Sequence, residues 1–186
     1  MIALKWLFLE KSLMRKLLFL FFFLPSVYAN NGWNALHEAV YEGDIPKVQS
    51  LLSTQDINST TTAGLSALHI AVKKRDAQMI QFLLLNNANI DAQDNKGFSV
   101  LYYAVLQNNI PIAKLLLQHQ ADPNLKNNIQ NAPIHNIAYN NRFEMLELFL
   151  LYNVDVNATN QHGMKAYDFA QTKGNTGMML ELAKYQ

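Results

Sequence analysis

Leu36, Leu68, Leu101, Ile134 and Tyr167 stand 32, 33, 33 and 33 positions apart, each inside a similar block of nine residues. The blocks read GWNALHEAV from Gly32, GLSALHIAV from Gly64, GFSVLYYAV from Gly97, QNAPIHNIA from Gln130 and GMKAYDFAQ from Gly163. A fixed period of this size means one supersecondary unit used again and again, each copy stacked on the last. The period runs through the whole unit. Seven residues after each key position come Gly43, Arg75, Asn108, Asn141 and Gly174. Glycine and asparagine tolerate the left-handed conformation that closes a helix, so this register reads as a helix stop, with Arg75 expected to carry strain. Six of the seven glycines fall in just two registers of the repeat.

Each unit divides into two helices. The second helices carry the cores KVQSLL, MIQFLL, IAKLLL, MLELFL and MMLELA, whose apolar spacing is helical. Pro46 and Pro111 share one register in the first turn, where proline is tolerated. Asn34, Ser66 and Ser99 precede the first helices and can cap them, whereas Ala132 and Lys165 cannot; Pro133 partly compensates in the fourth unit. Small residues at Ala39, Ala71, Ala104 and Ala170 allow close helix approach, and Ile137 breaks that rule. Helices of two or three turns are unstable alone, so burial must come from stacking.

These motifs resemble the ankyrin-repeat family. Its T-P-L-H tetrapeptide reads here as NALH, SALH, SVLY, APIH and KAYD, and its G-A-D-V-N turn as NANID, QADPN and NVDVN. The expected fold is therefore all-α: an ankyrin-repeat solenoid of about five helix-turn-helix repeats of 32–33 residues. The repeats fall at about 30–59, 60–93, 94–126, 127–159 and 160–186, the last serving as a C-terminal cap. The resemblance implies a structural role for His37, His69 and His135, which share one register: hydrogen bonds to turn backbone that tie adjacent repeats together. Asp168 replaces this histidine in the last unit. The resemblance also implies binding through turn tips and the inner surface of the first helices. The candidate partner-binding residues are Trp33, Tyr41, Leu65, Lys73, Lys74, Phe98, Leu106, Gln107, Ile129, Tyr139 and Asn140. Trp33, Leu65, Phe98 and Met164 are apolar at tip positions expected to be exposed.

The first 29 residues differ from the rest. Lys11, Arg15 and Lys16 precede the apolar run LLFLFFFL from Leu17 to Leu24; Pro25 follows, and SVYA ends at Ala29. A basic segment, a short apolar core and small residues at Val27 and Ala29 compose a secretory signal peptide, with Met14 a possible true start. The apolar run is shorter than the roughly 20 residues of a membrane span, though residues 1–13 add apolar character that leaves an N-terminal membrane anchor as the minority reading. Cleavage would take four of the 15 basic and one of the 14 acidic residues, leaving 11 against 13. That balance gives no basic footprint for nucleic acid.

The sequence contains no cysteine, which excludes disulfide frameworks and thiolate metal sites. His119 and His162 lie in loops without a clustered third ligand, so no metal site is expected. Glu144 and Glu147 read as solvated helix surface; the basic cluster Lys73, Lys74 and Arg75 reads by default as a solvated face, with contact to an acidic partner as the alternative. No phosphate loop or nucleophile elbow is present. Ser66, three residues before His69, reads as a helix cap rather than a nucleophile. The expected function is non-catalytic protein binding, without cofactor, by a monomer in the periplasm or outside the cell, free of the membrane after cleavage. The alternatives are an immunity or inhibitor protein for a toxin or enzyme, a secreted factor directed at host proteins and, least favoured, a hydrolase with an unrecognised site.

Overall fold

A computed structural model describes residues 31–185. The expected signal peptide lies outside the described residues. Ten α-helices form five consecutive pairs among them: α1 (Ala35–Glu42) with α2 (Ile45–Leu51), α3 (Ala67–Lys74) with α4 (Ala77–Leu85), α5 (Val100–Leu106) with α6 (Ile110–Gln118), α7 (Pro133–Tyr139) with α8 (Phe143–Leu150), and α9 (Ala166–Lys173) with α10 (Thr176–Leu182). A short 3-10 turn over Ala183–Tyr185 follows.

The helices are only 7 to 9 residues long, well below the 12–15 or so at which an isolated helix becomes marginally stable. Packing supplies what length does not. The first helices α1, α3, α5, α7 and α9 lie side by side as one layer, and each packs against its own second helix. A single apolar core runs unbroken from Leu36 to Leu182. Ala39, Ala71, Ala104 and Ala170 are completely buried where first helices meet, and Ile137 is buried equally at the fourth.

Caps fix where each helix begins. The side chains of Asn34, Ser66 and Ser99 accept the backbone N–H three residues on, whereas Ala132 and Lys165 make no such bond. Asp44, Asp76 and Asn109 cap the second helices in the same way. Arg142, in the equivalent position, instead reaches back: its guanidinium donates to the carbonyls of Val105 and Leu106 on the preceding repeat.

Two polar ladders join the repeats. At the turn tips the N–H groups of Thr62, Asn95 and Asn128 donate to Asn31, Ala63 and Lys96 carbonyls at 3.0–3.1 Å. At the opposite turns the side-chain oxygens of Asn58, Asp91 and Asn124 accept the N–H groups of Asn89, Asp122 and Asp155 at 2.7–2.9 Å. The tip ladder explains a glycine register. A Cβ on Gly64 would stand 2.4 Å from Asn95 Oδ1, and one on Gly97 2.6 Å from Asn128 Oδ1. The fourth repeat places Gln130 there at φ 60°, and its tip bond, Gln161 N–H to Ile129 carbonyl, stretches to 3.4 Å.

Every helix-stop residue expected from the sequence adopts positive φ: Gly43, Arg75, Asn108, Asn141 and Gly174 at 79°, 60°, 52°, 56° and 69°. Arg75 is the one without a compensating backbone preference, and the left-handed region costs an ordinary residue about 1–2 kcal/mol. Arg75→Gly should therefore raise thermal stability by about 1 kcal/mol, roughly 2–4 °C in a chain this size. Arg75→Val should lower it. Thermal melts of the two variants check the sign.

Candidate functional site

The three repeat histidines share one geometry. In His69, Nδ1 accepts the Ser66 N–H at 3.2 Å and Nε2 donates to the Phe98 carbonyl of the next repeat at 3.2 Å. His135 accepts from Ala132 N–H at 3.0 Å and donates to the Ala158 and Met164 carbonyls at 3.0 and 3.2 Å. His37 accepts from Asn34 N–H at 3.2 Å and donates to the Ser59 carbonyl at 3.0 Å. One ring nitrogen thus finishes the helix cap while the other holds a turn carbonyl, which requires the neutral ring protonated on Nε2.

Ser66 Oγ lies 2.9 Å from His69 Nδ1, and Asp94 exerts a charge on the same ring. These three residue types could suggest nucleophilic chemistry, but the geometry serves packing. Ser66 is 3% exposed and His69 fully buried, leaving no approach for a substrate. Asp94 is engaged elsewhere: one carboxylate oxygen accepts the Lys96 and Phe98 N–H groups and the other the Tyr103 hydroxyl at 2.8 Å. Burial, followed by that bond to Asp94, pushes the Tyr103 phenol well above its ordinary range. In the third repeat Tyr102 replaces the histidine, and burial raises its phenol to about 12. Asp168 keeps half of the histidine's work in the fifth, accepting Lys165 N–H at 2.7 Å. No group of three or more metal-ligating side chains gathers among the described residues.

The exposed inner face is a row of side chains from successive first helices. Tyr41, Leu106 and Tyr139 are 47%, 40% and 38% exposed, and Lys73, Lys74 and Asn140 also face solvent. Ile129 stands out at its tip at 49%. Gln107 is half-buried: its amide donates to the Lys73 carbonyl at 3.0 Å, so it braces neighbouring repeats. The tip positions differ from expectation. Trp33, Leu65, Phe98 and Met164 are half-buried rather than exposed. Their turns fold back on the first helices, setting Phe98 4.8 Å from Tyr102 and Trp33 edge-on to Tyr41 at 5.5 Å.

Cations cover the aromatic rings of this face in a repeating way. Lys74 Nζ lies 4.1 Å from the Tyr41 ring centroid, and Lys173 Nζ 4.5 Å from that of Tyr139. Each lysine reaches from one repeat onto the preceding one. Trp33, Tyr41, Leu65, Lys73 and Lys74, all expected as binding residues, line one hollow together with Ile70. Leu106, Gln107, Ile129, Tyr139 and Asn140 belong to the later repeats and lie outside it. Ile70 was not among the residues expected to bind.

The geometry defines a stacked-repeat protein with a buried polar seam and an exposed inner face. Family models of ankyrin repeats match residues 36–127 and 107–150, which together cover most of the chain. The chain belongs to the ankyrin-repeat family. It is 39% identical over 54 residues to human receptor-interacting serine/threonine-protein kinase 4, across 29% of this chain and 6% of that protein. It is 37% identical over 70 residues to delta-latroinsectotoxin-Lt1a of Latrodectus tredecimguttatus, across 37% and 6%. It is 34% identical over 64 residues to the probable 26S proteasome regulatory subunit p28 of Saccharomyces cerevisiae, across 33% and 28%. The matched segments span less than a third of each of these relatives.

Burial lowers the affinity of His37, His69 and His135 for a proton, outweighing the carbonyl bonds that raise it. Lys73 adds to the lowering at His69 while Asp94 opposes it, and Lys126 adds to it at His135. Because the unfolded chain takes up these protons first, stability is full above about pH 6.5 and declines as pH falls below it. Urea unfolding at pH 7.5 and 5.5 should show a lower midpoint at the acidic value. His69→Ala should cost about 1–3 kcal/mol at pH 7.5 by leaving Ser66 N–H and the Phe98 carbonyl unpaired, and should flatten the pH dependence. A wild-type midpoint in the variant would mean these bonds contribute nothing.

Proposed function

We propose that this chain is a non-catalytic protein-binding module that works outside the compartment of its synthesis. Ankyrin arrays are protein-interaction modules, and the observation that supports this reading here is the inner face. Four successive repeats present Tyr41, Lys73, Lys74, Leu106, Tyr139 and Asn140 side by side on a layer of helices. Exposed aromatic and apolar residues ringed by polar ones have the composition of a protein interface. The polar side chains that could carry chemistry, His37, Ser66, His69 and His135, are instead buried in structural bonds. Export rests on the sequence of residues 11–29 alone. No helix among the described residues is long and apolar enough to cross a membrane.

Affinity capture from the native compartment tests this reading. Wild-type protein should retain one dominant protein partner, and Tyr41→Ala with Tyr139→Ala should weaken that capture by roughly tenfold or more, the size expected for central aromatic anchors. Glu147→Ala, on exposed α8 surface away from this face, should bind normally. Phe98→Ala is the wrong probe, since its ring packs on Tyr102 and Tyr103 and its loss should lower the melting temperature. Intact mass of the captured protein should correspond to a chain beginning at Asn30; a mass retaining residues 1–29 would contradict the export half of the proposal.

A further inference from the structure

Between the first and second repeats the inner face holds a hollow of about 270 Å³, walled by Trp33, Tyr41, Leu65, Ile70, Lys73 and Lys74. Sites for whole small-molecule ligands run from about 300 to 1,000 Å³, so this one suits a single large side chain. Its lining is mainly apolar, with Trp33, Tyr41, Leu65 and Ile70 among its walls. The side chains of Lys73 and Lys74 complete its wall, and their charged ends rest on nearby rings. Lys74 is steadied over Tyr41 at 4.1 Å, and Lys73 lies 5.4 Å from the Tyr103 ring. A cation resting on an aromatic face keeps its charge and loses little further freedom on binding an anion.

Neither lysine has a carboxylate partner: the two ion pairs among the described residues are Lys47 with Glu42 and Lys184 with Glu181. The acid closest in sequence to Tyr41 is therefore already engaged, at 3.1 Å, by a different lysine. The hollow is thus an apolar slot beside two positioned cations with no internal counter-charge. The chain's own leader is a poor complement, because four of its five charged residues, Lys5, Lys11, Arg15 and Lys16, repeat the sign of the rim.

We propose that this hollow receives a large apolar side chain from an acidic segment of the partner protein, with flanking carboxylates on Lys73 and Lys74. The proposal rests on the protein-binding reading above and specifies the chemistry of what is bound. Two cations beside an apolar slot would hold a nucleic acid poorly, since such affinity grows with the number of phosphates neutralised.

The test is selection of a random peptide-display library on the full chain, followed by titration of synthetic versions of the enriched peptides. Enriched sequences should pair a large apolar residue with neighbouring aspartate or glutamate. Their affinity should fall at least tenfold on replacing those acids by amides, on replacing the apolar residue by alanine, and in Lys73→Glu with Lys74→Glu. Added salt should weaken binding to the wild-type protein. Circular dichroism checks that the charge-reversed protein is folded; if it is not, Lys73→Met with Lys74→Met is read in its place. Enriched peptides without acidic residues, or peptides that bind the lysine variants at full strength but lose binding with Tyr139→Ala, would overturn this proposal and leave the protein-binding reading standing. A selection giving no binder sensitive to any inner-face substitution would overturn both. A single-stranded oligonucleotide binding as tightly as the enriched peptides, and lost with the same lysine changes, would overturn it in favour of a polyanion site.

Discussion

One imidazole makes two bonds that the array depends on. Its Nδ1 accepts the N–H at the start of its own helix, and its Nε2 donates to a turn carbonyl 22 to 29 residues further on. Short helices leave a large share of their N–H groups without internal partners, and stacked turns bury carbonyls that must be satisfied. A neutral histidine answers both needs with one side chain, and it does so only while uncharged. Where the chain lacks the histidine, other residues make part of its bonds. At the third repeat Gln93, the last residue of the second, supplies the carbonyl-side bonds, donating to the Gly97 and Lys126 carbonyls at 2.7 and 2.9 Å. In the fifth, Asp168 keeps the helix-side bond.

This arrangement separates strength from recognition. Burial and the two polar ladders hold the interior and the turns, so the inner face is free to vary. Tyr41 and Tyr139 occupy the same register and each carries a lysine from the next repeat, whereas Leu106 in that register is bare. The face is consequently uneven along its length, with a cationic, aromatic notch at one end and an apolar stretch in the middle. In the proposed binding role a partner would be read by that unevenness, while the fold beneath it stays the same.

The repeat was legible because its period governs whole helices: a slip of one residue would expose Leu68 or Leu101, so the sequence has to keep time. The caps at Asn34, Ser66 and Ser99 and the left-handed stops were legible for the same reason, since each answers a local backbone demand. The tip residues were not. Phe98 and Trp33 are apolar at a turn, and whether such a ring reaches outward or folds back on Tyr102 or Tyr41 is decided by tertiary neighbours that no spacing reveals. Gln107 was likewise placed on the binding face by register, while its amide in fact braces the Lys73 carbonyl. The second-helix caps Asp44, Asp76 and Asn109 went unread although their signal was present: a small acidic or amide residue directly before each apolar run. The hollow needed the structure, because Ile70 from one repeat and Tyr41 from another meet only once the repeats are stacked.

The protonation state of the three buried imidazoles tests this account most directly. Long-range nitrogen–proton NMR correlation at pH 7 should show His37, His69 and His135 neutral, each protonated on Nε2 and bare at Nδ1, with the ring proton of His69 hydrogen-bonded to a backbone carbonyl. Rings found charged at pH 7, or carrying the proton on Nδ1, would mean that the helix starts and the neighbouring turns are not joined by these residues, and the explanation of how the repeats hold together would fail.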